Sequence, residues 1–167
     1  MIDICVLKEN LISSIVKSLV GTNVSRSEEY LIRCLKENEE FKRITFVASA
    51  GSEIAGLVNL IYESEYPFFI ENRIPEINDL LVHPRFRKQG IGKLLICEAE
   101  REAARNYNFI GLGVGLYKDY GYAQRLYVKN GYIPDGNGIV YKNIEVKPGN
   151  YVFLDDDLLL YFYKKLR

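Results

Sequence analysis

The sequence predicts an α/β (α+β) fold of about seven strands and about four helices. Short apolar runs of strand length, bounded by turn residues, are interspersed with longer segments whose apolar residues recur at helical spacing. Their order is strand, two helices, three strands, helix, strand, helix, two strands. The bulk numbers suit a single domain over 1–167. A chain of 167 residues can bury a sizeable core, and 48% hydrophobic with 26% charged residues is an ordinary globular balance.

Each element has its own local reason. Ile2–Leu7 reads as a short first strand. Asn10–Val20 has apolar residues at 11, 12, 15, 16, 19 and 20, a helical stripe that Gly21 ends. Ser27 can cap a second helix with Tyr30, Leu31, Cys34 and Leu35 on one face. Ile44–Ala50 and Ile54–Ile61 flank Gly51-Ser52-Glu53 and read as a hairpin. Residues 62–73 form a longer connection that mixes Glu63, Glu65 and Glu71 with Tyr66, Phe68 and Phe69. Ile74–Val82 is the next strand, carrying Glu76 and Asp79. Gly90–Tyr107 reads as an amphipathic helix, with Ile91, Leu95, Ala99 and Ala103 on one face, widened by Leu94 and Ile96, and Glu100, Arg101, Glu102 and Arg105 on the other. Phe109–Leu116 is a strand, and Asp119–Asn130 a short helix capped by Asp119 and stopped at Gly131. Ile139–Asn143 and Leu158–Tyr163 are late strands, with turns expected at Asp135-Gly136-Asn137-Gly138 and Pro148-Gly149.

Charge and cysteine usage narrow the function classes. Lys plus Arg is 22 and Asp plus Glu is 22, so no net charge recommends nucleic acid or an anionic membrane as partner. No apolar run approaches the roughly 18 residues of a membrane helix. Cys5, Cys34 and Cys97 are widely spaced without a C-x-x-C pair, and His83 is the single histidine. Neither a disulfide framework nor a metal site is expected, and the thiols read as reduced, mostly buried and cytoplasmic.

The stretch Val82-His83-Pro84-Arg85-Phe86-Arg87-Lys88-Gln89-Gly90-Ile91-Gly92-Lys93 carries the strongest chemical signal. A strand ends, a basic loop follows and two glycines open a helix. Main-chain N–H groups at a helix start lack partners and attract anions. A Walker A loop does not fit, because Arg87 takes the place of the first glycine and Leu94 follows the lysine. A dinucleotide fingerprint does not fit either, because Leu95 stands where the third glycine belongs. What remains is Arg87-x-x-Gly90-x-Gly92, suited to a pyrophosphate.

This pattern resembles the [Q/R]-x-x-G-x-[G/A] loop with which the GNAT family of N-acetyltransferases binds acetyl-CoA. The element order resembles the same fold along nearly the whole chain. The resemblance implies a central mixed, mostly antiparallel sheet flanked by helices. It further implies that the amides of Arg87, Lys88, Gln89, Gly90, Ile91, Gly92 and Lys93 surround the pyrophosphate. Main-chain groups of Leu80, Leu81 and Val82 would contact the pantetheine arm. The co-substrate would be acetyl-CoA, without a metal, and the acceptor a small-molecule or peptide amine. The late strands often mediate dimers in this family, which keeps a homodimer open.

Ala123-x-x-Leu126-Tyr127-x-Lys129-Asn130-Gly131-Tyr132 is similar to the family segment A-x-x-L-Y-x-k-x-G-F. There the tyrosine is often the general acid for the CoA thiolate, a position that Tyr127 takes. Packing beside Ala123 and Leu126 is the alternative role for Tyr127. With a phenol near ~10 and a thiol near ~8.5, full proton transfer in water is uphill by about 2 kcal/mol. Tyr127 therefore needs either a lowered pKa or a donation that accompanies C–S cleavage. The family usually has Asn three residues before this alanine, where it contacts the pantetheine; here Tyr120 stands there. Either its hydroxyl supplies the contact, or main chain alone does. Tyr117, Tyr120 and Tyr122 crowd this helix start and suggest an aromatic-lined pocket.

Glu76 lies eleven residues before Arg87, a spacing that resembles the catalytic glutamate of histone-type members. Asp79, His83 or a water chain remain alternatives for the base. Glu76 and Asp79 are separated by an odd number of positions, so they are not expected to act as a carboxylate pair. Gly111, Gly113 and Gly115 leave one strand face bare, which suits a backbone, helix or ligand at short range. The expected activity is transfer of an acetyl group to an amine, with a non-catalytic acyl-CoA sensor of the same fold as the alternative.

Overall fold

The computed structural model describes residues 1–166. They form two compact units, one of Met1–Tyr62 with Ile77–Glu102 and one of Glu63–Glu76 with residues from Ala103 onward.

The first unit holds strands β1 (Ile2–Val6), β2 (Arg43–Ala50), β3 (Glu53–Ile61) and nearly all of β4 (Glu76–Val82), ordered β1-β2-β3-β4. Strands β1 and β2 run antiparallel with Ile2 opposite Ala50, and β2 and β3 form the expected hairpin with Arg43 opposite Ile61. The register of that hairpin shifts between Ala48 and Ser49. Helices α1 (Glu9–Leu19) and α2 (Glu28–Glu39) cover it through Ile12, Ile15, Leu19, Leu31 and Cys34, which pack with Val47, Leu57 and Leu81. Gly21, at φ +75°, lies just beyond α1, and the Ser27 hydroxyl caps α2 by accepting the Tyr30 N–H at 3.2 Å.

The second unit holds α3 (Pro67–Asn72), β5 (Phe109–Gly115), α5 (Gly121–Lys129), β6 (Ile133–Tyr141), β7 (Ile144–Glu145) and β8 (Leu158–Lys165). Helix α4 (Ile91–Ala103) belongs, but for its last residue, to the first. The strand order here is β5-β8-β6-β7. The last strand is thus inserted between β5 and β6, antiparallel to both, with Gly113 opposite Tyr161 and Tyr141 opposite Leu158.

The mixed α/β class is the one expected, with eight strands and five helices among the described residues. The additions are β7 and α3. Helix α3 is only six residues long, too short for a periodic stripe, and Pro67 at its first turn is the one local sign of it. The turn expected at 135–138 is instead a bulge inside β6. Gly136 and Gly138 take φ +86° and +78°, and the pairing with β8 shifts between Pro134 and Ile139. Asp119 does not cap α5. It lies in a 3₁₀ turn over Lys118–Tyr120, and the helix starts at Gly121. Leu94 is exposed rather than part of the buried face of α4. Of the three thiols only Cys34 is buried, whereas Cys5 and Cys97 are exposed.

Candidate active site

Val82 and the start of α4 are joined by a tightly braced loop. The His83 N–H donates to the Ala55 carbonyl at 2.9 Å, and His83 Nδ1 accepts the Arg85 N–H at 3.1 Å, starting a 3₁₀ turn over Pro84–Phe86. The Arg87 guanidinium folds back, donating to the Val82 carbonyl at 3.3 Å and to Asn23 Oδ1 at 3.1 Å. Lys88 and Gly90 then take φ +62° and +82°, which swings the chain into α4. Among the described residues, the main-chain N–H groups of Gln89, Gly90, Ile91, Gly92 and Lys93 donate to no main-chain carbonyl outside regular elements. These are the orphan donors of a helix start, left open to an anion. Lys88, Gln89 and Lys93 are exposed beside them, while Ile91 is buried and anchors the helix.

Strand β4 supplies the main-chain groups of Leu80, Leu81 and Val82. Leu81 is buried in the core of the first unit, and Leu80 and Val82 are half-buried. Gly56 of β3 makes this geometry possible, because a Cβ there would lie 2.5 Å from the Leu81 carbonyl oxygen. Asp79 interrupts the strand with φ +51°. A left-handed residue other than glycine costs about 1–3 kcal/mol and persists where its surroundings over-determine it. Here Arg26 forks onto the carboxylate, with Nε donating to Oδ2 at 3.0 Å and Nη2 donating to Oδ1. The Tyr30 hydroxyl adds a bond to Oδ2 at 2.7 Å. That hydroxyl accepts from Asn59 Nδ2 at 2.9 Å, and Asn59 Oδ1 accepts from the Thr45 hydroxyl at 2.7 Å. Burial, and after it the Asp79 charge, push the Tyr30 phenol well above its ordinary range.

Glu76 has a different environment. It is 8% exposed, not a strand-end carboxylate in water, and it accepts the Ser64 hydroxyl at 2.5 Å. Ser64 in turn accepts the Tyr66 N–H at 3.0 Å. Tyr66 stacks on Tyr161 with ring centroids 3.8 Å apart, and Phe69 meets both rings edge-on. The Tyr66 hydroxyl donates to Asp135 Oδ2 at 2.6 Å and the Tyr161 hydroxyl to Asn143 Oδ1 at 2.7 Å. The Tyr161 phenol is pushed far up, first by burial and then by the charges of Glu76, Glu65 and Asp135. A negative field therefore gathers at a stacked aromatic pair. Spacing and motif reasoning missed Ser64, Asp135 and Tyr161. The acid–aromatic mixture of the 63–71 segment was the only local signal, and most of its aromatics turn out to be core.

Helix α5 presents Tyr127 in a nearly closed position, 7% exposed and edge-on to the Tyr132 ring at 6.0 Å. Burial alone pushes its phenol far above the ordinary tyrosine range. A lowered pKa is thus replaced by a raised one. Tyr120 is also committed. Its hydroxyl donates to Asp156 Oδ1 at 2.9 Å, an oxygen that also accepts from Tyr117, and its ring covers Gly115. The Tyr117 and Tyr120 rings meet edge-on at 5.0 Å, whereas Tyr122 is exposed, so the three tyrosines do not line a common pocket. The bare face of β5 is filled by rings. A Cβ on Gly111 would lie 2.2 Å from Phe69, and one on Gly115 would lie 2.4 Å from Tyr120. In this unit an open groove of about 450 Å³ is lined by Val114, Leu116, Val128, Leu160 and Phe162 together with Gln124, Arg125 and Lys129.

The sequence matches the acetyltransferase (GNAT) domain family over residues 42–134, more than half of the chain. The chain belongs to the GNAT acetyltransferase family. Membership places it among the acyltransferases. A comparison with curated proteins found no significant match to the sequence. Solved structures match over the full length at low identity. An N-acetyltransferase from Staphylococcus aureus Mu50 superposes with a TM-score of 0.73 at 15% identity, covering 100% of this chain and 99% of that one. A spermidine/spermine N-acetyltransferase from Vibrio cholerae gives 0.67 at 19% identity, over 99% and 92%. A Salmonella typhimurium protein solved with its cofactor acetyl-CoA gives 0.71 at 15% identity, over 100% and 95%. At these identities the likeness is one of fold. No helix among the described residues is long and apolar enough to cross a membrane.

Proposed function

We propose that this GNAT acyltransferase moves an acetyl group from acetyl-CoA to a small-molecule or peptide amine by direct attack on the thioester. The observation that carries the reading is the start of α4. Its amides from Gln89 to Lys93 lack main-chain acceptors outside regular elements, and Arg87 braces the loop from behind. That cradle suits the pyrophosphate of a CoA donor. Acetyl-CoA brings an activated acyl thioester, and the protein must orient it, take a proton from the amine and return one to sulfur.

Glu76 is assigned to the first proton. It is buried, touches the neutral Ser64 hydroxyl and shares its surroundings with Glu65 and Asp135. Asp79 and His83 suit the role less well, since Arg26 and Tyr30 occupy the Asp79 oxygens and the Arg85 N–H occupies His83 Nδ1. Tyr127 is assigned to the second proton. Because burial raises its phenol, complete transfer to a free thiolate is uphill by more than the ~2 kcal/mol of the aqueous comparison. Donation must then accompany C–S cleavage, with the hydroxyl bonded to the sulfur as charge builds. The negative field around the Tyr66–Tyr161 stack favours a cationic acceptor, and polyamines, the substrates named for the Vibrio cholerae structure, are the first class to try.

The test is release of CoA thiol from acetyl-CoA across a panel of polyamines, amino sugars, amino acids and peptides. Turnover with at least one amine is expected. Tight acetyl-CoA binding without thiol release on any amine would overturn the enzymatic reading in favour of a sensor. In the active pair, Tyr127→Phe should lower kcat by roughly 10²-fold while leaving the KM for acetyl-CoA near its starting value.

A further inference from the structure

We infer that Arg26, Tyr30 and Asn59 are positioning residues that lock Asp79 in its left-handed conformation and so aim the peptide groups of Leu80 and Leu81 at the thioester carbonyl. The inference rests on the acyl-CoA reading above. A left-handed residue inside a strand turns the next peptide out of the regular ladder, freeing it for another partner. The residues that follow Asp79 are the ones whose main chain the site needs. Nothing local to β4 demands φ +51° at position 79, where aspartate takes a conformation easiest for glycine.

The restraint comes from elsewhere in the first unit. Arg26 lies just before the cap of α2, and its guanidinium forks onto both carboxylate oxygens. A second arm of Arg26, Nη1, donates to the Ser25 carbonyl at 2.8 Å, which fixes the fork to the loop. Tyr30, in the first turn of α2, reaches the same carboxylate, and the fully buried Asn59 and Thr45 fix the direction of its hydroxyl. The loop before α2, α2, β2 and β3 therefore hold one side chain whose backbone takes φ +51° within β4. A thioester oxygen that turns negative during attack would meet main-chain N–H donors held in place before reaction.

The test uses the full chain and acetyl-CoA labelled with ¹³C at the carbonyl. Infrared difference spectra of the bound thioester should show a carbonyl stretch shifted down from free acetyl-CoA. Arg26→Ala should move it back toward the free value, and Tyr30→Phe should do so in part. Adding Asp79→Gly to Arg26→Ala should restore the shift, because glycine accepts φ +51° without the clamp. In the active pair, kcat should follow the spectrum, falling about tenfold in Arg26→Ala and recovering in the double variant, while the KM for acetyl-CoA stays within about twofold. An unchanged stretch in Arg26→Ala and Tyr30→Phe, or no shift in the parent protein, overturns the inference and leaves the acyl-CoA reading standing. Failure of the parent protein to bind acetyl-CoA overturns both. If Arg26→Ala does not fold, Tyr30→Phe with and without Asp79→Gly decides the matter by the same spectrum.

Discussion

Glu76 and Asp79 are two carboxylates of one strand, three positions apart, and they are held in opposite ways. Asp79 meets a guanidinium and a phenol and takes a left-handed backbone. Glu76 meets a serine hydroxyl, is the more buried of the two residues, and is the leading charge among those that raise the Tyr161 phenol. A carboxylate forked by arginine has its acceptor sites taken and serves as a fixed anchor. A neutral hydroxyl donor such as Ser64 brings no formal charge to the carboxylate it bonds, unlike a guanidinium. The chemical type is the same, and the partners divide the work.

The sharpest way to break this contrast is Glu76→Gln. The amide keeps the size and can still accept from Ser64 but cannot take a proton. A fall in kcat/KM of roughly 10²- to 10⁴-fold is expected, with an altered pH profile and little change in Tm. An unaltered profile would hand the base role to Asp79, His83 or water. Asp79→Ala should show the complementary pattern. It leaves Arg26 without its main partner and Tyr30 without an acceptor, so a loss of about 1–3 kcal/mol in denaturant unfolding is expected. The Arg26 side chain keeps 31% exposure, which holds the loss below that of a wholly buried pair.

The smallest effect is read from the phenols beside the two carboxylates. Burial is the largest cause of the rise in both Tyr30 and Tyr161. Both folded values lie above the unfolded one near ~10, so above that pH the folded state binds more protons than the unfolded state. Stability is fully present below pH ~10 and falls as pH rises beyond it, by about 1.4 kcal/mol per pH unit for each fully buried phenol. Tyr161→Phe should remove about one proton from the alkaline slope measured by denaturant unfolding. An unchanged slope would mean that Tyr161 is more accessible than its 3% exposure suggests.

Much of the fold was legible because its signals are local. The stripe of α1, the Ser27 cap, the β2–β3 hairpin and the glycine stop after α5 depend on residues within a few positions of each other. The errors fell where distant residues decide. Gly136 and Gly138 have the chemistry of a turn, yet β8 pairs across them and makes them a bulge. Asp119 has the chemistry of a cap, but a 3₁₀ turn precedes the helix. Asp135, read as a turn residue, lies 69 positions from the Tyr66 hydroxyl it accepts, and no spacing rule reaches that far.

By itself, the sequence determined the element order apart from α3 and β7, the loop Arg87-x-x-Gly90-x-Gly92 and the candidates Glu76 and Tyr127. These rest on periodicity and on the resemblance of short motifs to the family's, both of which survive in one dimension. Only the tertiary structure decided that Arg26 and Tyr30 hold the Asp79 carboxylate, that Glu76 is buried, that the Tyr120 hydroxyl is given to Asp156, and that burial raises the Tyr127 phenol. Those properties depend on which polar partner arrives from far along the chain and on how much water is excluded, and packing alone sets both.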